Sequence, residues 1–124
     1  MENTHPLSLA TGTLPEFSPP EVVDAAAQAA YWGCGVWFDA ETWTGQTTKD
    51  TKKAFQESGL VPLDIEVLWI QPTGWDDNFE RLLDAGAEIG VRNALIVSSD
   101  PDMSSTADQF GRLCDLAQAR NIFA

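Results

Sequence analysis

Apolar positions along the chain fall into two alternating patterns. Short apolar or β-branched runs begin near Leu7, Val36, Leu63, Ala94 and Ile122, at a spacing of roughly 30 residues, the length of one strand, one crossover helix and two loops. The runs are Leu7-Ser8-Leu9-Ala10-Thr11, Val36-Trp37-Phe38-Asp39, Leu63 to Trp69 and Ala94 to Ser98. Each is short and bounded by turn residues, which predicts strands. The stretches between them carry apolar residues every three to four positions, which predicts helices.

Four helix starts are predicted from capping chemistry. Ser18-Pro19-Pro20-Glu21 has capping-box spacing with proline in the first turn, ahead of Val22, Val23, Ala26 and Ala30. Thr47 and Asp50 repeat that spacing before a polar helix bearing Ala54 and Phe55, with Gly59 as its stop. Asp77 and Glu80 open a third helix with the stripe Phe79, Leu82, Leu83, Gly86 and a stop at Gly90. Ser105 and Asp108 open a fourth, with Phe110, Leu113, Cys114 and Ala117 on one face.

Strands alternating with helices imply a parallel sheet with right-handed crossovers, either doubly wound or closed into a barrel. Strands buried between two helix layers read as near-continuous apolar runs. The third strand departs from that. Asp64 and Glu66 share one face, with Ile65, Val67 and Trp69 expected on the other. Two carboxylates on one face of a central strand favour the lined interior of a barrel. The expected fold class is α/β: (β/α) repeats of a TIM barrel, about four βα units and the start of a fifth strand.

Composition narrows the function classes. The chain has 124 residues, 44% hydrophobic and 21% charged, a globular balance. Seven basic residues stand against nineteen acidic ones, a formal net charge of −12. A nucleic-acid backbone or an anionic membrane would be repelled, so neither is an expected partner. Met1 to His5 carry no secretory pattern, and no window is apolar enough to span a bilayer. Cys34 and Cys114 are isolated, which suits small buried hydrophobes in a reducing compartment, and the expected location is cytoplasmic.

Three stretches carry a family resemblance: Pro6 to Phe17 (Pro-Leu-Ser-Leu-Ala-Thr-Gly-Thr-Leu-Pro-Glu-Phe), Gly35-Val36-Trp37-Phe38-Asp39, and Leu63-Asp64-Ile65-Glu66-Val67. They resemble the xylose-isomerase-like TIM barrels, and among these the sugar phosphate isomerase/epimerase family. Its relatives include hydroxypyruvate isomerases, inosose dehydratases and endonuclease IV-type enzymes. The resemblance runs over residues 6–124 and rests on the order of diffuse motifs. It implies a metal-dependent enzyme acting on a small carbohydrate. The divalent metal is held mainly by carboxylates and a histidine at the ends of later strands, typically beginning with a Glu on the fifth. This chain reaches only the opening of that strand, Ile122-Phe123-Ala124, and the later ligands have no counterpart in it. A full barrel takes about 250 residues. The expectation is therefore that residues 1–124 form the N-terminal half of such a barrel, a single incomplete domain that is inactive and binds no metal alone. The alternative is a non-catalytic half-barrel that pairs with a copy of itself, as a homodimer, or with a partner half-barrel.

In a TIM barrel the active face lies at the C-terminal ends of the strands. Reading those ends selects Thr11, Glu41, Trp43, Glu66 and Trp75 as candidate substrate-pocket residues. Glu66, beside Asp64, could have a raised pKa and bond a sugar hydroxyl or serve as a base, or it could be a structural carboxylate. Trp43 and Trp75 could stack on a sugar face or roof the barrel. Asp100-Pro101-Asp102 reads as a turn and helix entry more than a metal site. His5, the only histidine, precedes the first strand at the opposite end, which disfavours a zinc cluster or a Ser-His-Asp triad. No phosphate-binding glycine motif is present.

Overall fold

The computed structural model describes residues 5–124; the first four residues, read above for a leader pattern, lie outside them. Four βα units follow one another: β1 (Ser8–Leu9), α1 (Pro19–Gln28), β2 (Gly33–Trp37), α2 (Gly45–Ser58), β3 (Val61–Ile70), α3 (Asn78–Ile89), β4 (Asn93–Ser98) and α4 (Met103–Gln118). The strands are parallel and lie in sequential order. A doubly wound sheet reverses direction at a switch point, and this one does not. The expected start of a fifth strand is present. Phe123 bridges to Asn93 in parallel, its N–H donating to the Arg92 carbonyl (3.0 Å) and its carbonyl accepting from Ala94 N–H (2.7 Å).

All four helices cover one face of the sheet. Val36, Ile65, Ala94 and Leu68 bury that face against Val23 and Ala26 of α1, Phe55 of α2, Leu82 and Leu83 of α3, and Leu113 and Ala117 of α4. Burial of this kind contributes about 25 cal/mol per Å² of apolar surface and fixes which side of each strand points to the helices. The opposite face stays open. Trp37 and Trp69 are 50% and 51% exposed there, alongside Leu95 and Val97. Among the described residues, no helix is long and apolar enough to cross a membrane.

The helix ends follow local chemistry, with three differences from expectation. At α1 the capping box forms, and Ser18 N–H donates to Glu21 Oε2 at 2.7 Å. That hydrogen bond, with one from the Ser18 side chain, holds the Glu21 carboxyl below its usual range. The cap of α2 is Thr44 rather than Thr47: Thr44 and Thr47 bond each other's backbone N–H through their hydroxyls (3.3 and 3.1 Å). Thr47 is thus the third helical residue, and Gly45 in the first turn hides the true start. At α3 Asp77 already has helical backbone angles and its side chain caps nothing, while Asp76 Oδ1 accepts from Asn78 N–H at 2.9 Å. At α4 Asp102, not Ser105, is the cap, accepting from Ser104 and Ser105 N–H at 2.9 and 3.1 Å. The stops at Gly59 and Gly90 hold, with φ of 73° and 91°.

Strand β3 is the other departure. Its pairing with β4 shifts register between Ile65 and Leu68. Strict alternation would place Trp69 beside Ile65 in the core; instead Ile65, Leu68 and Ile70 are buried and Trp69 joins Asp64 and Glu66 on the open side. A bulge inserts one residue and switches the phase of every side chain after it.

Candidate functional site

Thr11 follows β1 directly. It opens a short 3-10 turn, Thr11–Thr13, that turns the chain away from the sheet, and it is buried there. Facing this turn, the segment after β2 is held from two sides. Asp39 Oδ1 accepts from Glu41 N–H (3.0 Å), and Arg81 of α3 donates to the carbonyls of Ala40 and Trp43 (both 3.3 Å). The two connections enclose a cleft of about 800 Å³ at the C-terminal ends of β1 and β2, whose lining includes Thr11, Phe17, Trp37, Asp39, Thr42 and Trp43. Clefts of this size, apolar with a few polar groups, suit small molecules.

The two loop tryptophans occupy different places. Trp43 is a buried wall of this cleft. Its indole N–H donates to Thr48 Oγ1 (2.8 Å), and its ring lies 4.9 Å from that of Phe38. Trp75 lies beyond β3, edge-on to Phe79 at 5.1 Å, with the Arg112 guanidinium 3.7 Å from its ring centre. It lines a second, smaller depression with Trp69, Gln71 and Asp76. Glu41 is exposed on the β2–α2 connection, outside the lining of both. The structure therefore brings Thr11 and Trp43 together and sets Trp75 and Glu41 apart from them.

Glu66 lies on the open face of the sheet. It is in register with Trp37, and one step below it Asp64 is in register with Gly35 on one side and Asn93 on the other. No hydrogen bond or ion pair among the described residues reaches either carboxylate. Partial burial raises the Asp64 carboxyl above its usual range, and burial together with the Asp64 charge raises Glu66. On the helix side of β2, burial and then Asp64 push the Cys34 thiol up to about 12. Carboxyls raised in this way can exchange a proton nearer to neutral pH, the property a general acid or base needs.

Sequence reasoning missed Trp37, an exposed aromatic side chain in the lining of the cleft. The exposed Trp37 and Asp39 alternate with the buried Val36 and Phe38. That period of two assigns Trp37 to the open face and could have found it. Among the described residues, no group of three His, Cys, Asp or Glu is placed to hold a metal ion.

No family model matches the chain, and no curated protein does. Solved structures do. The chain is similar to a sugar phosphate isomerase/epimerase from Parabacteroides distasonis (18% identity, TM-score 0.70), with 98% of this chain covering 50% of that one. It is similar to the IolI protein with a binding zinc atom (15%, TM-score 0.72; 95% of this chain, 49% of that one). It also matches a xylose isomerase-like TIM barrel/4-hydroxyphenylpyruvate dioxygenase fusion protein (18%, TM-score 0.71), covering 93% of this chain and 20% of that one. The chain thus spans half or less of each of these three structures. Four parallel strands in sequential order, helices on one face and this half-length match together give the chain the fold of about half of a xylose isomerase-like TIM barrel.

Proposed function

We propose that this chain is the N-terminal half of a barrel enzyme of the sugar isomerase/epimerase type and contributes the first wall of its carbohydrate pocket. The observation that carries this reading is the cleft at the ends of β1 and β2, lined by the exposed indole of Trp37 and the Asp39 carboxylate, with Glu66 outside that lining but in register with Trp37 on the next strand. A sugar presents apolar C–H faces and hydroxyl edges. Trp37 and Phe17 offer the rings for the first, and Thr11, Asp39 and Thr42 the hydrogen-bonding groups for the second. Neighbours in fold support the class: besides the sugar phosphate isomerase/epimerase, they include a D-allulose 3-epimerase from Methylomonas sp. in complex with D-allulose.

Isomerisation and epimerisation move a proton between a sugar carbon and a base. In this half Glu66, whose carboxyl is raised by burial and by the Asp64 charge, is the candidate to hold such a proton. A divalent metal, which such enzymes use to polarise carbonyl and hydroxyl oxygens, does not fit this chain. Among the described residues no three carboxylate, histidine or cysteine side chains are placed to hold one, and the one histidine precedes β1. A metal in the whole barrel would rest on residues elsewhere.

Saturation-transfer NMR of the chain with D-fructose tests the reading. Weak millimolar binding is expected, lost in Trp37→Ala and retained in Trp75→Ala. Equal signals from both variants, or none from the unmodified chain, would overturn it.

A further inference from the structure

We propose that the open face of the sheet is a docking surface for a complementary run of βα units whose own inner face carries Arg or Lys, and that a second copy of this chain is not its partner. The inference rests on the half-barrel reading and adds the chemistry of the missing half. Trp37, Trp69, Leu95 and Val97 form the exposed apolar part of this face. Phe123, 79% exposed, begins the next strand at the free edge of β4. Contiguous apolar surface of this kind marks an interaction site.

Charge decides which partner fits. Asp64 and Glu66 lie in the middle of the face, and among the described residues no ion pair reaches them. All seven basic side chains are placed elsewhere. Arg81 holds the β2–α2 connection, Arg92 lies over Trp32, Arg112 over Trp75, and Arg120 pairs with Asp84 at 2.7 Å. Lys49, Lys52 and Lys53 are all on α2. Closing a barrel from two copies would enclose both pairs of carboxylates without a counter-charge and would bring together two chains of −12 each. Buried charge is tolerated only when paired. A facing guanidinium or ammonium reverses that balance, and Arg can do so through two parallel hydrogen bonds to one carboxylate.

A charge-reversed copy, D64R/E66R, serves as the cationic half in the test. Sedimentation at micromolar concentration, pH 7.5 and low salt should show the unmodified chain as a monomer. Its mixture with D64R/E66R should give a one-to-one complex at least about tenfold tighter than either protein alone, weakening as salt rises. A self-association of the unmodified chain as tight as the mixture, or a mixture that stays monomeric with both proteins folded by circular dichroism, would overturn the proposal. Should D64R/E66R fail to fold, D64N/E66Q replaces it: neutralising the pair should raise self-association by about tenfold, and an unchanged constant would overturn the proposal. Sugar binding is read separately on the unmodified chain, so loss of one result leaves the other standing.

Discussion

The carboxylate of Asp64 occupies the space that the absent side chain of Gly35 leaves across the β2–β3 ladder. The two residues are in register, and a Cβ at position 35 would collide with Asp64 Oδ1. Glycine at this point gives the Asp64 carboxylate its room, and a larger residue would require the tip of that side chain to swing aside. Partial burial at this position raises the Asp64 carboxyl.

Gly35→Ala should destabilise the fold by about 0.5–1.5 kcal/mol, the cost of pushing one side chain, Asp64, off its rotamer. Asp64→Ala in the same chain should restore most of that loss. Urea midpoints for the two single variants and the double variant give the coupling. Additive effects would show that the residues do not meet.

The raised carboxyls set a pH dependence with a definite sign. Between the ordinary carboxyl range near about 4 and their higher folded values, Asp64 and Glu66 bind more protons in the folded chain than in the unfolded one. Their contribution to stability is thus greatest at low pH and falls as pH rises through that window. Glu21, lowered by its Ser18 hydrogen bonds, acts in the opposite sense, its stabilisation disappearing as pH falls. Chemical denaturation from pH 4 to 8 should show D64N/E66Q with a smaller decline than the unmodified chain.

The two cysteines should differ in reactivity. Cys34 is fully buried and its thiol pushed up to about 12, whereas Cys114 on α4 is half-buried. The thiolate is the reactive form. At pH 8 a thiol reagent should modify Cys114 in the folded chain and Cys34 only on unfolding, as peptide mass mapping would read.

Asp102→Ala should cost about 1 kcal/mol, the usual loss on removing a helix cap. Ser105→Ala should change stability by much less, because Ser105 offers its backbone N–H and not its side chain to the cap. Thermal unfolding of the two variants separates them.

That pair of variants also marks the limit of legibility in the sequence. The βα repeat, the parallel order, the α1 cap and the glycine stops follow from local periodicity and turn chemistry, and the structure has them. The caps of α2 and α4 were misplaced by three residues because several hydroxyl and carboxylate side chains lie within one turn of each start. Spacing alone cannot choose among them. The side taken by Trp69 depends on a register shift against β4, a non-local pairing that no window on β3 contains. Of the residues read from strand ends, Thr11 and Trp43 line the cleft beside Trp37. Trp37 could not be read from hydrophobicity, because an apolar run assigns its tryptophan to the core; only the glycine two residues before it and the aspartate two after reveal its face.

The central claim is that the cleft beside Trp37 is the carbohydrate wall of a half-barrel, and the five tryptophans allow it to be located directly. In a titration with D-fructose followed by the indole N–H resonances of the 15N-labelled chain, the account predicts a saturable shift at Trp37, with Trp32 and Trp75 unmoved. A shift confined to Trp69 and Trp75, or no saturable shift at any indole, would contradict it.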